Sequence, residues 1–387
     1  MNVTVRGRTR PFRTVTFEAK SNSVQLIEQR LLPHEFKIVG ARDFRATGRA
    51  IRDMVVRGAG AIGATAAYGL AQGTLSFRGN DMKSFSAHVG MVFATLAGAR
   101  PTAVDPVNAM NGVRRAMARG QTVAEQQLLA LAAAEEFAND DVRHCAEIGR
   151  HGAKLIRNRM NILTHCNAGW LAFVDIGTAT APLYAAHGQG KQFHVFCDET
   201  RPRSQGSTLT AWELAQAGIS HQIIADNAAG HLMQRGEIDL VLVGSDRVLG
   251  RTGEVANKIG TYTKAVLAAR HKIPVYAAIP LSTIDWNLKC GAEIPIEERQ
   301  AHEVLGAWGV LASPTPEISG AAKAGESGGK SRTTRRAYVR VANPGSPARN
   351  PGFDVTPAEL IAGIITPAGI FGPRELWRRR RELGFGG

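Results

Sequence analysis

NILTHC (161–166), FHVFCD (193–198), HQIIAD (221–226), IDLVLVG (238–244) and IPVYAAIP (273–280) are five short apolar runs alternating with longer, helix-like text. The intervening segments, AFVDIGTATAPLYAAH (172–187), STLTAWELAQAG (207–218), NAAGHLMQRG (227–236) and ANKIGTYTKAVLAARHK (256–272), read as helices. Strands that are apolar on both faces need cover on both sides of the sheet, which a parallel sheet with crossover helices supplies. The fold class is therefore α/β, a Rossmann-like parallel sheet domain with helices on both faces.

The text upstream is different. After a short hairpin around Thr14 to Phe17, VQLIEQRLL (24–32), FRATGRAIRDMV (44–55) and IGATAAYGLAQG (62–73) read as helical. VAEQQLLALAAAEEF (123–137) is rich in strong helix formers. We expect a mostly helical N-terminal domain over 1–140, with a short N-terminal hairpin, and the α/β domain over 141–387. Within the latter, 313–333 is a Pro, Gly, Ser and Lys-rich loop and AYVRVA (337–342) a short strand. VTPAELIAGIIT (355–366) reads as a closing helix capped by Thr356, and PRELWRRRREL (373–383) as a terminal helix with a solvated basic face.

Composition narrows the function classes. The 387 residues carry 47 Lys and Arg against 33 Asp and Glu, a net charge of +14, with 44% hydrophobic residues. That balance excludes a wholly disordered chain, and no run nears the ~18 apolar residues of a membrane span. The basic N-terminus lacks the apolar core of a signal peptide, so a cytoplasmic protein is expected. Cys145, Cys166, Cys197 and Cys290 are far apart, which argues against a zinc ribbon or disulfide framework. The positive excess is mostly dispersed arginine without a nucleic-acid recognition motif, and such a field equally attracts a phosphorylated small molecule.

Two motifs invite a nucleotide reading and do not sustain it. Gly58, Gly60 and Gly63 form a GxGxxG with Asp81 about 20 residues beyond, but mainly helical text precedes it instead of a strand. A tight turn opening a small-residue helix, with backbone N–H groups beside Arg57 seating a phosphate, fits better. AGESGGKS (324–331) has neither the strand before it nor the helix after it that a phosphate loop requires.

Each of the five runs ends in polar side chains: His165, Cys166 and Asn167; then Asp198, Glu199 and Arg201; then Asp226 and Asn227; then Asp246 and Arg247; then Ser282, Thr283 and Asp285. Ligands of open α/β sheets bind outside the carboxyl ends of the strands. For any one of these residues, capping the following helix is the competing role, and Cys166 competes as a small buried apolar residue. His165 and Cys166 point to opposite faces of a strand, so a partner for Cys166 comes from another strand end, most naturally Asp246. Burial would raise the Asp246 pKa and suit it to general acid work. Asn257 and Lys258 are expected at the start of a helix, a place for an anionic ligand. Arg57, Arg100 and Lys258 together could share a phosphate, Arg100 if the domains close over it.

These blocks carry a family resemblance. VVRGAGAIGATAAYG, ARPTAV, LTHCNAG, DETRPRSQGSTLTAWEL, ADNAAGHLM, VGSDR, ANKIGTY, PLSTIDW, IPIEER and NPGFDVTPAELI run in order from about residue 55 to 366. They resemble the methylthioribose-1-phosphate isomerases, relatives of the regulatory eukaryotic initiation factor 2B alpha, beta and delta subunits. The resemblance implies a cofactor-free, metal-free, dimeric aldose–ketose isomerase acting on S-methyl-5-thioribose 1-phosphate in methionine salvage. It implies Cys166 and Asp246 as the catalytic pair. It places substrate contacts on Arg57, Gly58, Ala59, Arg100, Gln205, Asn257 and Lys258. Three positions depart from the family pattern: Gly60 where proline is usual, which would loosen the seat; Ser245, which would set a hydroxyl beside the acid; and Trp170, an apolar wall if it points inward. The alternatives are an isomerase of another ribose 1-phosphate (5-deoxyribose 1-phosphate or ribose 1,5-bisphosphate) and a non-catalytic regulatory subunit.

Overall fold

The five apolar runs become five neighbouring parallel strands in the computed structural model, which describes residues 1–5, 7–100, 105–311 and 336–385. The chain opens with a hairpin, β1 (Asn2–Val5) and β2 (Arg8–Pro11). An antiparallel sheet follows, of β3 (Val15–Glu18), β4 (Ser23–Ile27) and β5 (Ile38–Ala41). Helices α1 (Phe44–Arg52), α2 (Ala59–Ser76), α3 (Met82–Ala97), α4 (Asp105–Met117) and α5 (Val123–Gly152) complete the first half. α5 starts with a Thr122–Glu125 capping box, and its Ala130, Ala134 and Ala138 face the helical core. It crosses residue 140 without a break, and its Ile148 belongs to the core beneath the large sheet.

The second half alternates β6 (Asn161–Thr164), α6 (Ala181–Gly188), β7 (His194–Asp198), α7 (Ala211–Gln216), β8 (His221–Ile224), α8 (Ala228–Gln234) and β9 (Leu240–Val243). Then come β10 (Arg247–Leu249), β11 (Val255–Lys258), α9 (Thr261–Arg270), β12 (Val275–Ala278) and β13 (Ile284–Asp285). The chain continues through β14 (Gly306–Val310), β15 (Arg336–Arg340), β16 (Phe353–Thr356), β17 (Gly363–Thr366) and β18 (Gly369–Phe371). The large sheet has the order β18-β17-β12-β9-β6-β7-β8, parallel except for the β18 edge. Its strands bury both faces in alternation: Leu163, Val241, Val243 and Ile364 on one side, Ile162, Leu240, Leu242 and Ile365 on the other. A smaller sheet, β13-β10-β11-β16, extends the chain beyond the carboxyl end of β9.

Several local expectations are corrected. VQLIEQRLL is β4 followed by a 3₁₀ turn at Gln29–Leu31. Val24 and Leu26 face the helical core while the backbone pairs with β3 and β5, and two-sided pairing outweighs helix propensity. In 172–187 the helix begins at Ala181. Asn257 and Lys258 end β11, which is paired on both sides, and α9 starts after Gly260 at φ 104°. The supposed closing helix over 355–366 is the end of β16, a 3₁₀ turn and β17, a strand buried along its length against β12. Thr356 is buried in β16 and its hydroxyl finds no hydrogen-bond partner among the described residues, so it caps no helix there. The C-terminal segment is a 3₁₀ turn at Pro373–Glu375 and further turns, pinned by buried Leu376 and Leu383 and by Trp377 against Trp286. The AGESGGKS motif, the 313–333 loop and most of ARPTAV lie outside the described residues. No helix among the described residues is long and apolar enough to cross a membrane.

Ile364 on β17 is wholly buried. Ile364→Ala is expected to destabilise the chain by about 2–5 kcal/mol in denaturant unfolding. The exposed Leu128→Ala is expected to stay within about 0.5 kcal/mol. Equal small effects at both positions would contradict the buried placement of β17.

Candidate active site

The nine catalytic and substrate-contact residues implied by the resemblance all line one cavity, between the N-terminus of α2 and the carboxyl ends of β6, β9 and β11, whereas the polar groups at the ends of β7, β8 and β12 do not line it. The α2 end is built for close approach. Gly58 adopts φ 92°, and a Cβ there would run into Ala172. Ala59 is the first residue of the 18-residue helix, whose N-terminus has no side-chain cap, leaving backbone N–H groups and the positive end of the helix dipole toward the cavity. Arg57 reaches the end of β6, donating to Asn167 Oδ1 at 2.6 Å and to the Asn167 carbonyl at 2.9 Å.

Cys166 follows β6 in a left-handed conformation, φ 68°, at 9% exposure. Its backbone is held on both sides: its N–H donates to Thr200 Oγ1 and its carbonyl accepts from Thr210 Oγ1, each at 2.8 Å. His165 turns away, its ring bridging Asp198 Oδ2 at 2.8 Å and the Ile259 carbonyl at 2.9 Å, so the two neighbours form no dyad. His165, Asp198 and Asp226 bring ligand-type atoms within 4.8 Å of one another, but the Lys264 ammonium already sits 3.1 Å from Asp198 Oδ2 and supplies the positive charge there.

Asp246 lies between β9 and β10. Its side chain is exposed, but onto the cavity it lines, and the surrounding protein leaves it desolvated. Burial pushes its carboxyl above the ordinary value, opposed by Lys258, Arg57 and Arg100. Lys258 is buried, donates to the Gly352 carbonyl at 3.0 Å and stands 4.5 Å over the Phe353 ring. Burial lowers its pKa, and its neighbours Cys166 and Asp246 oppose that shift. Asn257 donates to Thr261 Oγ1 at 3.0 Å, and the buried Gln205 Oε1 finds no partner among the described residues.

Arg100 is covered, with a side chain 19% exposed and 4.0 Å from Glu297. What covers it is the loop containing IPIEER, whose Ile294, Ile296, Glu297 and Arg299 also line the cavity. Sequence reasoning recognised this block without giving it a place in the site. It missed Asp105 too, a cavity-lining acid that burial pushes up to about 6. Its position directly after ARPTAV was the available signal.

The three departures act differently from expectation. A Cβ at Gly60 would collide with the Asp141 carboxylate and the Phe173 ring, so the glycine accommodates a tightly filled site and does not loosen it. The Ser245 hydroxyl lies 2.7 Å from the Ala256 carbonyl and 2.8 Å from that of Arg247, its one proton serving either, and it accepts from the Arg247 N–H, tying the turn that presents Asp246. Trp170 is fully buried in a separate cluster with Leu171, Leu209 and Trp212 and does not line the cavity. The apolar wall comes instead from Met54, Ile62, Phe173, Ile294 and Ile296.

Comparison with known proteins follows this geometry. The model of the initiation factor 2 subunit family matches residues 55–373. The methylthioribose-1-phosphate isomerase of Methylorubrum populi is 46% identical over 371 residues, covering 93% of both chains. The solved 5-methylthioribose 1-phosphate isomerase of Pyrococcus horikoshii has a TM-score of 0.82 at 38% identity, covering 97% of this chain and 96% of that one. The delta subunit of translation initiation factor eIF-2B from A. fulgidus has a TM-score of 0.79 at 34% identity, covering 97% and 100%.

Two measurements test this geometry. Gly60→Ala is expected to destabilise the chain by about 1–3 kcal/mol in denaturant unfolding, because Asp141 and Phe173 must move, and an unchanged midpoint would refute the close packing. Followed by carboxyl ¹³C NMR, Asp246 is expected to titrate above the ordinary ~4 and higher still in Lys258→Met, which removes the foremost cation holding it down. A lower midpoint in that variant would reverse the assigned electrostatics.

Proposed function

This chain belongs to the initiation factor 2 subunit family, and we propose that within it the protein is an S-methyl-5-thioribose-1-phosphate isomerase, making the 1-phospho-ribulose of methionine salvage. The observation that carries the reading is the joining, in one cavity, of a desolvated acid, a thiol and a cationic seat. The relatives named as isomerases at 46% identity agree with it.

The phosphate lies against the α2 N-terminus with Arg57 and Lys258. Such a seat suits a dianion because helix N–H groups and cations converge without a carboxylate bonded to either cation among the described residues. With C1 blocked by phosphate, the sugar ring must open before hydrogen can shift. Asp246, kept protonated to higher pH by burial, gives its proton to the ring oxygen as the C1–O bond breaks. Cys166 serves the hydrogen shift from C2 to C1, which, with loss of the C2 hydroxyl proton, leaves a ketone at C2 and the phosphate in place. Lys258, neighbour to both groups, stabilises negative charge on either.

The C5 substituent faces the apolar wall of Met54, Ile62, Phe173, Ile294 and Ile296, as a methylthio group requires. A second phosphate would need unpaired cations. Arg203 is paired with Glu303, Arg247 with Asp285, Arg299 with Glu297 and Glu303, and Arg100 lies 4.0 Å from Glu297, so each of these cations already has an acidic neighbour. Burial alone would raise Glu303, yet Arg299 and Arg203 hold it down to about 2. With the resemblance come a cytoplasmic homodimer, independence of cofactors, and no role for nucleic acid.

Proton NMR of purified protein with methylthioribose 1-phosphate, without cofactor, is expected to show conversion to the ketose. Asp246→Asn and Cys166→Ser are each expected to lower kcat by about 10²–10⁴-fold while remaining folded. No conversion by the folded unmodified chain, or near-normal turnover by both variants, would overturn the reading.

A further inference from the structure

Behind the cavity lies a buried carboxylate for which the reaction has no use. Glu213, on α7, is wholly inaccessible, yet no cation bonds to it among the described residues. It accepts four hydrogen bonds: at Oε1 from Asn167 Nδ2 at 2.9 Å and the Leu171 N–H at 3.1 Å, and at Oε2 from the Trp170 N–H at 3.1 Å and the Tyr184 hydroxyl at 2.9 Å. Burial pushes its carboxyl up to about 7, against the pull of those donors. The turn at 169–171 wraps onto it closely, and a Cβ at Gly169 would land on the carboxylate itself.

We propose that Glu213 is a positioning residue for the phosphate seat, acting on Arg57 through the side-chain amide of Asn167. The amide makes the connection directional. Its Nδ2 meets two acceptors, Glu213 Oε1 and Thr210 Oγ1 (3.1 Å), so its Oδ1 must face the other way, where Arg57 Nη1 bonds it at 2.6 Å. Were the amide reversed, an NH₂ group would confront the guanidinium and Arg57 would lose that bond. An acceptor at position 213 thus decides whether Arg57 finds an acceptor at position 167. Thr210 shares the task and also bonds the Cys166 carbonyl, so one small network sets the thiol's backbone and the phosphate-binding arginine together. Cation and acid are separated by one amide, which leaves the guanidinium free of a carboxylate that would compete with phosphate.

The inference rests on the isomerase reading, and turnover by the unmodified chain separates the two. If the unmodified chain is inactive, the isomerase reading fails. If it is active, the variants judge Glu213. Glu213→Leu leaves Asn167 Nδ2 without its carboxylate acceptor and is expected to raise KM about tenfold while kcat falls less than threefold. Competitive inhibition by inorganic phosphate should weaken in parallel. Asn167→Asp, which sets two carboxylates face to face, is expected to raise KM more. The double variant Asn167→Asp with Glu213→Gln replaces the opposed carboxylate by an amide that can donate to position 167, and should bring KM back below that of Asn167→Asp alone. A lowered melting temperature with unchanged KM in Glu213→Leu would overturn the proposal. So would a double variant whose KM equals or exceeds that of Asn167→Asp, a comparison that stands even if Glu213→Leu alone does not fold.

Discussion

Two hydrogen bonds from Arg57 to Asn167 hold the site together. Arg57 closes the turn that opens α2, the most buried helix of the N-terminal half, and Asn167 follows the central strand β6. The contact therefore joins the two halves at the point where a helix N-terminus and a strand carboxyl end face one cavity. Gly58 permits the approach, since any side chain there would meet Ala172. The helix N-terminus, the thiol and the acid keep a fixed geometry because these backbone ends meet.

Charge management is the second theme. A chain with a formal charge of +14 has cations to spare, and its cavity uses them selectively. Arg203, Arg247 and Arg299 are neutralised by acids, whereas Arg57 and Lys258 bond to neutral oxygens. Desolvation then works in opposite directions on the two kinds of group, raising Asp246 and lowering Lys258.

Much of this was legible in the sequence. The parallel strands followed from apolar runs at helix-length spacing, and of their five polar ends those after β6 and β9 line the cavity, at the carboxyl edge where ligands of such sheets gather, while those after β7, β8 and β12 do not. All nine residues taken from those ends and from the family blocks line it. The failures cluster where long-range pairing decides. Val24 to Leu32, Asn257 with Lys258, and 355–366 have helix-compatible composition, but each contributes a strand because other strands pair with it, adjacent ones for Val24 to Ile27 and ones distant in sequence for the other two. Trp170 likewise misled, since a residue four positions from the thiol can still point into a separate core.

The sequence by itself determined the α/β class, the five parallel strands and their order along the chain, and the chemistry available at the strand ends, because periodicity and composition act over a few residues. The tertiary structure alone decided that the IPIEER loop covers Arg100, that Gly60 must make room for Asp141, and that Glu213 lies behind Asn167. Those contacts join residues about 46 to 200 positions apart. No local pattern encodes which buried acid faces which amide; the packing of two sheets and a helical layer around one cavity does.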